Sequence, residues 1–123
     1  AVALSIAHDS HNIIVVGVSD EEMEFAVNSL IAQEGGMVLV KEGKVIESMP
    51  MPIAGLMSDQ SGEWVDEKLT AIHAKAYEEL GIAGGVEPVM TLCFMSLAVI
   101  PEVKLTDMGL FDVTTFSFIP VEA

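Results

Sequence analysis

Five consecutive polar residues, His8-Asp9-Ser10-His11-Asn12, separate two apolar runs at the start of the chain. Residues 2–7 and 12–18 read as strands, and the polar residues between them as a tight turn. The second run contains Ile13-Ile14-Val15-Val16, which is apolar on both faces, so a central strand is expected there. A chain that opens as a hairpin needs further elements to cover its apolar faces.

Those elements follow in order. Ser19-Asp20-Glu21-Glu22 has the capping-box pattern, in which a hydroxyl and a carboxylate satisfy two free backbone donors reciprocally. Met23, Ala26, Val27, Leu30 and Ile31 then fall on one helical face. Gly35-Gly36 is expected to end this helix. Residues 37–40 and 44–48 read as two strands joined by a Glu42-Gly43 hairpin turn. Pro50 and Pro52 stop regular pairing, so residues 51–59 are expected to form an irregular loop.

A second helix is predicted over residues 62–80, with Val65, Leu69, Ile72, Ala76 and Leu80 as its buried stripe and Gly81 as its cap. Residues 89–100 are apolar throughout, and periodicity leaves helix and strand both open for them. Residues 105–109 read as a turn. Residues 111–119, with their aromatic and β-branched side chains, read as one last strand. The order predicts an α+β fold: a mostly antiparallel sheet with two helices packed on it, forming a single compact domain over residues 1–123.

Composition narrows what such a domain can do. Hydrophobic residues make up 51% of the chain, and the net charge is −14 from 19 acidic and 5 basic residues. Phosphate contacts need clustered Lys and Arg, so no nucleic-acid partner is expected. An anionic membrane surface is disfavoured for the same reason, and no apolar stretch reaches the roughly 20 residues of a membrane-spanning helix. Cys93 is the only cysteine and lies in an apolar run, which reads as a buried small hydrophobe in a cytoplasmic protein. No positively charged start precedes an apolar segment, so no signal peptide is expected, and either trimming or a place within a longer chain would explain a first residue that is Ala1 and not Met.

The chemistry-bearing residues concentrate in the first turn. If residues 8–11 form a β-turn, both imidazoles can converge on one ligand. Asp9 can then accept a proton from an imidazole and fix its tautomer, while Ser10 and Asn12 add short-range donors and acceptors. Three readings stay open: a solvated hairpin tip, a substrate-contacting loop, and a metal site, which lacks a clear fourth ligand. Elsewhere, His73 reads as a packed or surface histidine and Trp64 as a packing anchor. Met49, Met51 and Met57 crowd the Pro-rich loop and offer an adaptable contact surface. No phosphate loop, nucleophile elbow or clustered metal motif is present.

Three segments together resemble the C-terminal part of microbial adenine deaminases of the amidohydrolase superfamily. They are Ala7-His8-Asp9-Ser10-His11-Asn12-Ile13-Ile14-Val15-Val16-Gly17, then Met51-Pro52-Ile53-Ala54-Gly55-Leu56-Met57-Ser58-Asp59, then Val99-Ile100-Pro101-Glu102-Val103-Lys104-Leu105-Thr106-Asp107-Met108-Gly109-Leu110-Phe111-Asp112-Val113. The resemblance implies a parent enzyme that hydrolyses adenine to hypoxanthine and ammonia in a barrel holding two metals, manganese or iron. The family's His-x-His metal pair has no counterpart here, because His8 and His11 are separated by two residues. The resemblance therefore implies no catalytic residue, metal or cofactor in this segment, which alone would be inactive. It further implies a barrel domain as partner, adenine as substrate, and a homo-oligomeric parent.

Two roles follow from it. His8, Asp9, Ser10, His11 and Asn12 would lie near the substrate, or Met51, Ile53, Leu56 and Met57 would dock the domain on the barrel as a brace. A stand-alone ligand-binding or regulatory module without catalytic activity is the alternative.

Overall fold

The computed structural model describes residues 1–122. Its first sheet is antiparallel and four-stranded, with β1 (Val2–Leu4), β2 (Ile14–Val16), β3 (Gly36–Lys41) and β4 (Lys44–Pro50) in the order β2-β1-β3-β4. Helix α1 (Asp20–Ala32) connects β2 to β3, and α2 (Gly62–Glu78) and the short α3 (Pro88–Cys93) follow β4. A second antiparallel sheet, β5 (Val103–Thr106), β6 (Gly109–Asp112) and β7 (Ser117–Ile119), closes the chain. This is an α+β domain.

Strand alternation explains the layers. In β1 and β3, Val2, Leu4, Met37 and Leu39 point to one side and join Met49, Ile72 and Ala76 of β4 and α2, with Val89, Leu92 and Cys93 of α3. Ala3, Val38 and Val40 point to the other side and meet Ala26 and Leu30 of α1. The two long helices thus cover opposite faces of the sheet, and β1 and β3 are buried on both. The expected central strand is the exception: β2 lies at the sheet edge, and Val16 is half exposed. Helix α1 carries the chain across so that β3 pairs with the free side of β1, which leaves β2 outside. An apolar run reports burial on the faces and not on the edges, so its composition did not distinguish the two positions.

Local chemistry sets the helix ends. The Ser19 hydroxyl accepts from the Glu22 N–H at 3.2 Å, as the capping pattern predicts. The reciprocal half is absent. The Glu22 carboxylate instead accepts from the Gly43 N–H in the β3–β4 turn and from the Ala1 nitrogen. Helix α1 ends in a Schellman motif, with Gly35 N–H donating to Leu30 O and Glu34 N–H to Ile31 O. Glu34 takes the left-handed position (φ 65°) one residue before the expected glycine. On the predicted apolar face Ala26 and Leu30 are buried, but Ile31 is exposed.

The two glycines of Gly35-Gly36 are needed for another reason. A Cβ on Gly36 would stand 2.0 Å from Met49 O, and one on Gly35 would stand 2.6 Å from the Cα of Gly55. Strand β1 stops short of the predicted Ala7 because the Ser5 side chain turns into this contact.

In the later part of the chain, residues 89–100 form no single element. Pro88 opens α3, and the Glu87 carboxylate caps it at the Met90 N–H. The helix stops at Cys93, and Met95, Val99 and Ile100 are exposed. The predicted turn at 105–109 narrows to Asp107-Met108, braced by the Thr106 hydroxyl, which donates to Gly109 O and accepts from Met108 N. The single strand predicted at 111–119 is broken in two. The Asp112 carboxylate accepts from the backbone and hydroxyl groups of Thr114 and Thr115 and folds a turn there.

Candidate functional site

The 8–12 loop is the connection between β1 and β2, and every residue in it is exposed. Its backbone is nevertheless held. His8 N–H donates to Cys93 O at 2.8 Å, and His11 N–H donates to Ala7 O at 2.5 Å. Ala7 itself is buried, which anchors the root of the loop. The His8 ring lies nearly parallel to Phe94, with centroids 5.3 Å apart and planes at 24°.

The two imidazoles do come together: their centroids are 6.1 Å apart. His8 Nδ1 pairs with the Asp9 carboxylate. In the neutral ring this pairing places the proton on Nδ1, which leaves Nε2 as an acceptor. Ser10 and Asn12 point elsewhere. They line a cavity of about 300 Å³ that His8, Asp9 and His11 do not border. Among the described residues no three His, Cys, Asp or Glu side chains are grouped so as to hold a metal ion.

Phe94 and Cys93 reach the loop from the C-terminal end of α3, and sequence reasoning missed both as site residues. The signal available was Glu87-Pro88, an N-cap followed by a proline at the first helical position. His73 of α2 pairs with the Glu87 carboxylate and so ties α2 to the cap of α3. Cys93 is buried, and its thiol pKa is raised by burial and then by the Glu87 carboxylate. It offers its carbonyl to the loop and no nucleophile.

The four candidate docking residues separate into different environments. Met51 is buried in this domain's own core, and Leu56 is half-buried. Ile53 and Met57 pair across a short bridge and are both substantially exposed. Trp64 packs against the core from the first turn of α2, with Lys68 Nζ 5.9 Å from its ring centroid. No helix is long and apolar enough to cross a membrane among the described residues.

Comparison with known proteins gives a consistent picture. The family model described as "Adenine deaminase C-terminal domain" matches residues 1–117. The chain is 74% identical over 123 residues to adenine deaminase 2 of Desulfotalea psychrophila, covering all of this chain and 21% of that protein. It is 53% identical over 119 residues to adenine deaminase of Halalkalibacterium halodurans, covering 97% of this chain and 20% of the relative. Adenine deaminase of Bacillus subtilis is 48% identical over 122 residues, or 99% of this chain and 21% of the relative. The chain thus spans about a fifth of the length of the relatives it matches.

Proposed function

The chain belongs to the adenine deaminase C-terminal domain family, and on that premise we propose that it is the C-terminal domain of an enzyme that hydrolyses adenine to hypoxanthine and ammonia. In this reading a preceding barrel carries the reacting centre, and the 8–12 loop is presented to it. One observation supports the loop over the rest of the surface. It is exposed and polar, yet its backbone and its His8 ring are fixed by contacts to α3.

The chemistry of the loop is recognition and water exclusion. His8 Nε2, freed by the Nδ1–Asp9 pairing, accepts a hydrogen bond from an amino or ring N–H of the purine. His11 stands close enough to share the same ligand. A covered site strengthens both bonds by lowering the local dielectric. The manganese or iron implied by the resemblance would lie in the barrel and polarise the attacking water there. The residues of this chain do not fit such a metal, since no three potential ligands converge among those described. A cytoplasmic, homo-oligomeric parent belongs to the same reading.

The test is kinetic and uses the intact enzyme. His8→Ala and His11→Ala should each lower kcat/KM for adenine by about tenfold or more, the loss of one or two hydrogen bonds to a bound base. Thermal stability and assembly should not change. Unchanged kinetics in both variants would remove the loop from the reaction.

A further inference from the structure

The second sheet stands apart from both cores. Among the described residues, 103–119 contribute nothing to the two apolar clusters that flank the first sheet. Its register sets Phe111 of β6 directly beside Phe118 of β7, so both rings lie on one face. Their centroids are 5.3 Å apart, and Phe116 meets Phe111 edge-on at 5.2 Å. The cluster is nevertheless open to water: Phe116 is 75% exposed and Phe118 53%. Phe116 also holds a left-handed backbone conformation, with φ 53°.

These features are unfavourable unless something covers them. A small sheet needs a packed apolar face to be stable. Rings left in water forgo the burial that makes aromatic side chains stabilising. A bulky residue at positive φ is strained where Gly would not be. Turn geometry therefore does not call for a phenylalanine at 116, and the ring itself is what the residue adds. Strain held at an exposed aromatic residue points to a contact made there.

We infer that this aromatic face docks on the remainder of the same polypeptide, with Phe116 and Phe118 as its anchors. The inference rests on the reading that a catalytic part precedes this domain. The chain covers about a fifth of each relative's length, so on that reading about four-fifths of the polypeptide is available as the occupant. A second copy fits the charges poorly. Around the sheet Glu102 and Asp107 are exposed, whereas its cation, Lys104, is buried. Two copies meeting through the same patch would set like charges against each other, and each carries a net charge of −14. A tethered occupant also acts at high effective concentration. Leu105, Thr106 and Asp107 border the same cavity as Ser10 and Asn12, so docking through this sheet brings the 8–12 loop beside the occupant.

Hydroxyl-radical footprinting of the intact polypeptide tests the face, with Phe25 of α1 as internal reference. Phe25 is 40% exposed, less than either anchor. Left open, Phe116 and Phe118 react faster than Phe25. Docked, both should react about fivefold more slowly than Phe25, as rings packed at an interface core do. Either ring reacting as fast as Phe25 overturns the proposal.

Sedimentation velocity of the intact Phe116→Ser/Phe118→Ser variant identifies the occupant. An unchanged subunit count is expected. A lower count assigns the face to a second copy and overturns the proposal. The footprint is taken on the unaltered protein and stands whether or not the variant folds. Adenine turnover on the same preparation separates the two readings. Turnover with open rings overturns the docking face and leaves the deaminase. Covered rings without turnover overturn the deaminase and leave the docking face.

Discussion

The Ser5 hydroxyl donates to the Gly55 carbonyl at 2.5 Å, joining the end of β1 to the Pro-rich loop across fifty residues of sequence. The same oxygen accepts from the Gly36 N–H at 2.7 Å. A Cβ on Gly35 would stand 2.6 Å from the Gly55 Cα, and one on Gly55, at a positive φ of 73°, would stand 3.2 Å from the Ser5 hydroxyl oxygen. The Gln33 amide adds bonds to the carbonyls of Gly35, Met37 and Met49. The loop that reads as an adaptable surface is therefore clasped to the sheet.

Ser5→Ala removes both bonds and leaves a backbone donor and acceptor half-buried without partners. The expected cost is about 2–6 kcal/mol, from about 1–3 kcal/mol for each of the two abandoned groups. Equilibrium denaturation in urea checks it. A loss under about 0.5 kcal/mol, the level of an ordinary surface substitution, would mean the clasp contributes little.

Acid should loosen the sheet from α2. The Glu47 pKa is affected by desolvation, which raises it, but the bonds to Lys68 and the Ser48 N–H and the charges of Lys68 and Lys75 outweigh this and lower it. A lowered folded pKa contributes stability above the unfolded value of about 4.3. That stability is lost as the pH falls through the folded value. Glu47→Gln should cost about 1 kcal/mol at neutral pH, given that both lysines are partly exposed, and less than that in acid. A pH series of melting temperatures for both proteins reads the difference. Parallel curves would refute it.

Cys93 should resist thiol reagents in the native protein. Burial, then the Glu87 carboxylate, raises its pKa, so little thiolate forms near pH 8, and the side chain is covered. Ellman's reagent should titrate the thiol only after denaturant is added. Rapid labelling of the folded protein would show that α3 opens.

Phe94→Leu tests how the loop is aimed. It removes the ring stacked on His8 but keeps apolar volume in place. In the intact enzyme kcat/KM for adenine should fall by about tenfold, within the range produced by misplacing a positioned group. Combining it with His8→Ala should add little further loss. Full additivity would mean that Phe94 acts through something other than His8.

Much of this architecture was legible from local signals, and the reasons for the failures are physical. Ser19 caps α1 where a hydroxyl precedes an apolar stripe, and Glu42-Gly43 turns where both residues have positive φ. The stripe Ile72 and Ala76 is buried as its spacing requires. The position of β2 depended on which side of β1 the later β3 occupied, a tertiary choice that no window of sequence contains. The break between β6 and β7 was encoded in Asp112-Val113-Thr114-Thr115, but β propensity masked the carboxylate that turns it. At the site, the approach of the two histidines was readable from their spacing. Phe94 was not, because α3 brings it in from the far end of the chain.

The polar tip between β1 and β2 begins where the Ser5 clasp ends. One side of its root is locked by Gly36 and Gly55, and the other by the Cys93 carbonyl. The conformational entropy of aiming His8 is lost once, when the chain folds, and not again at each encounter with a ligand. A tip so preorganised has little freedom to act as a flap. Substitutions that loosen the clasp should therefore restore that entropy cost to each encounter and read out as weaker binding at His8 rather than as a change in its chemistry.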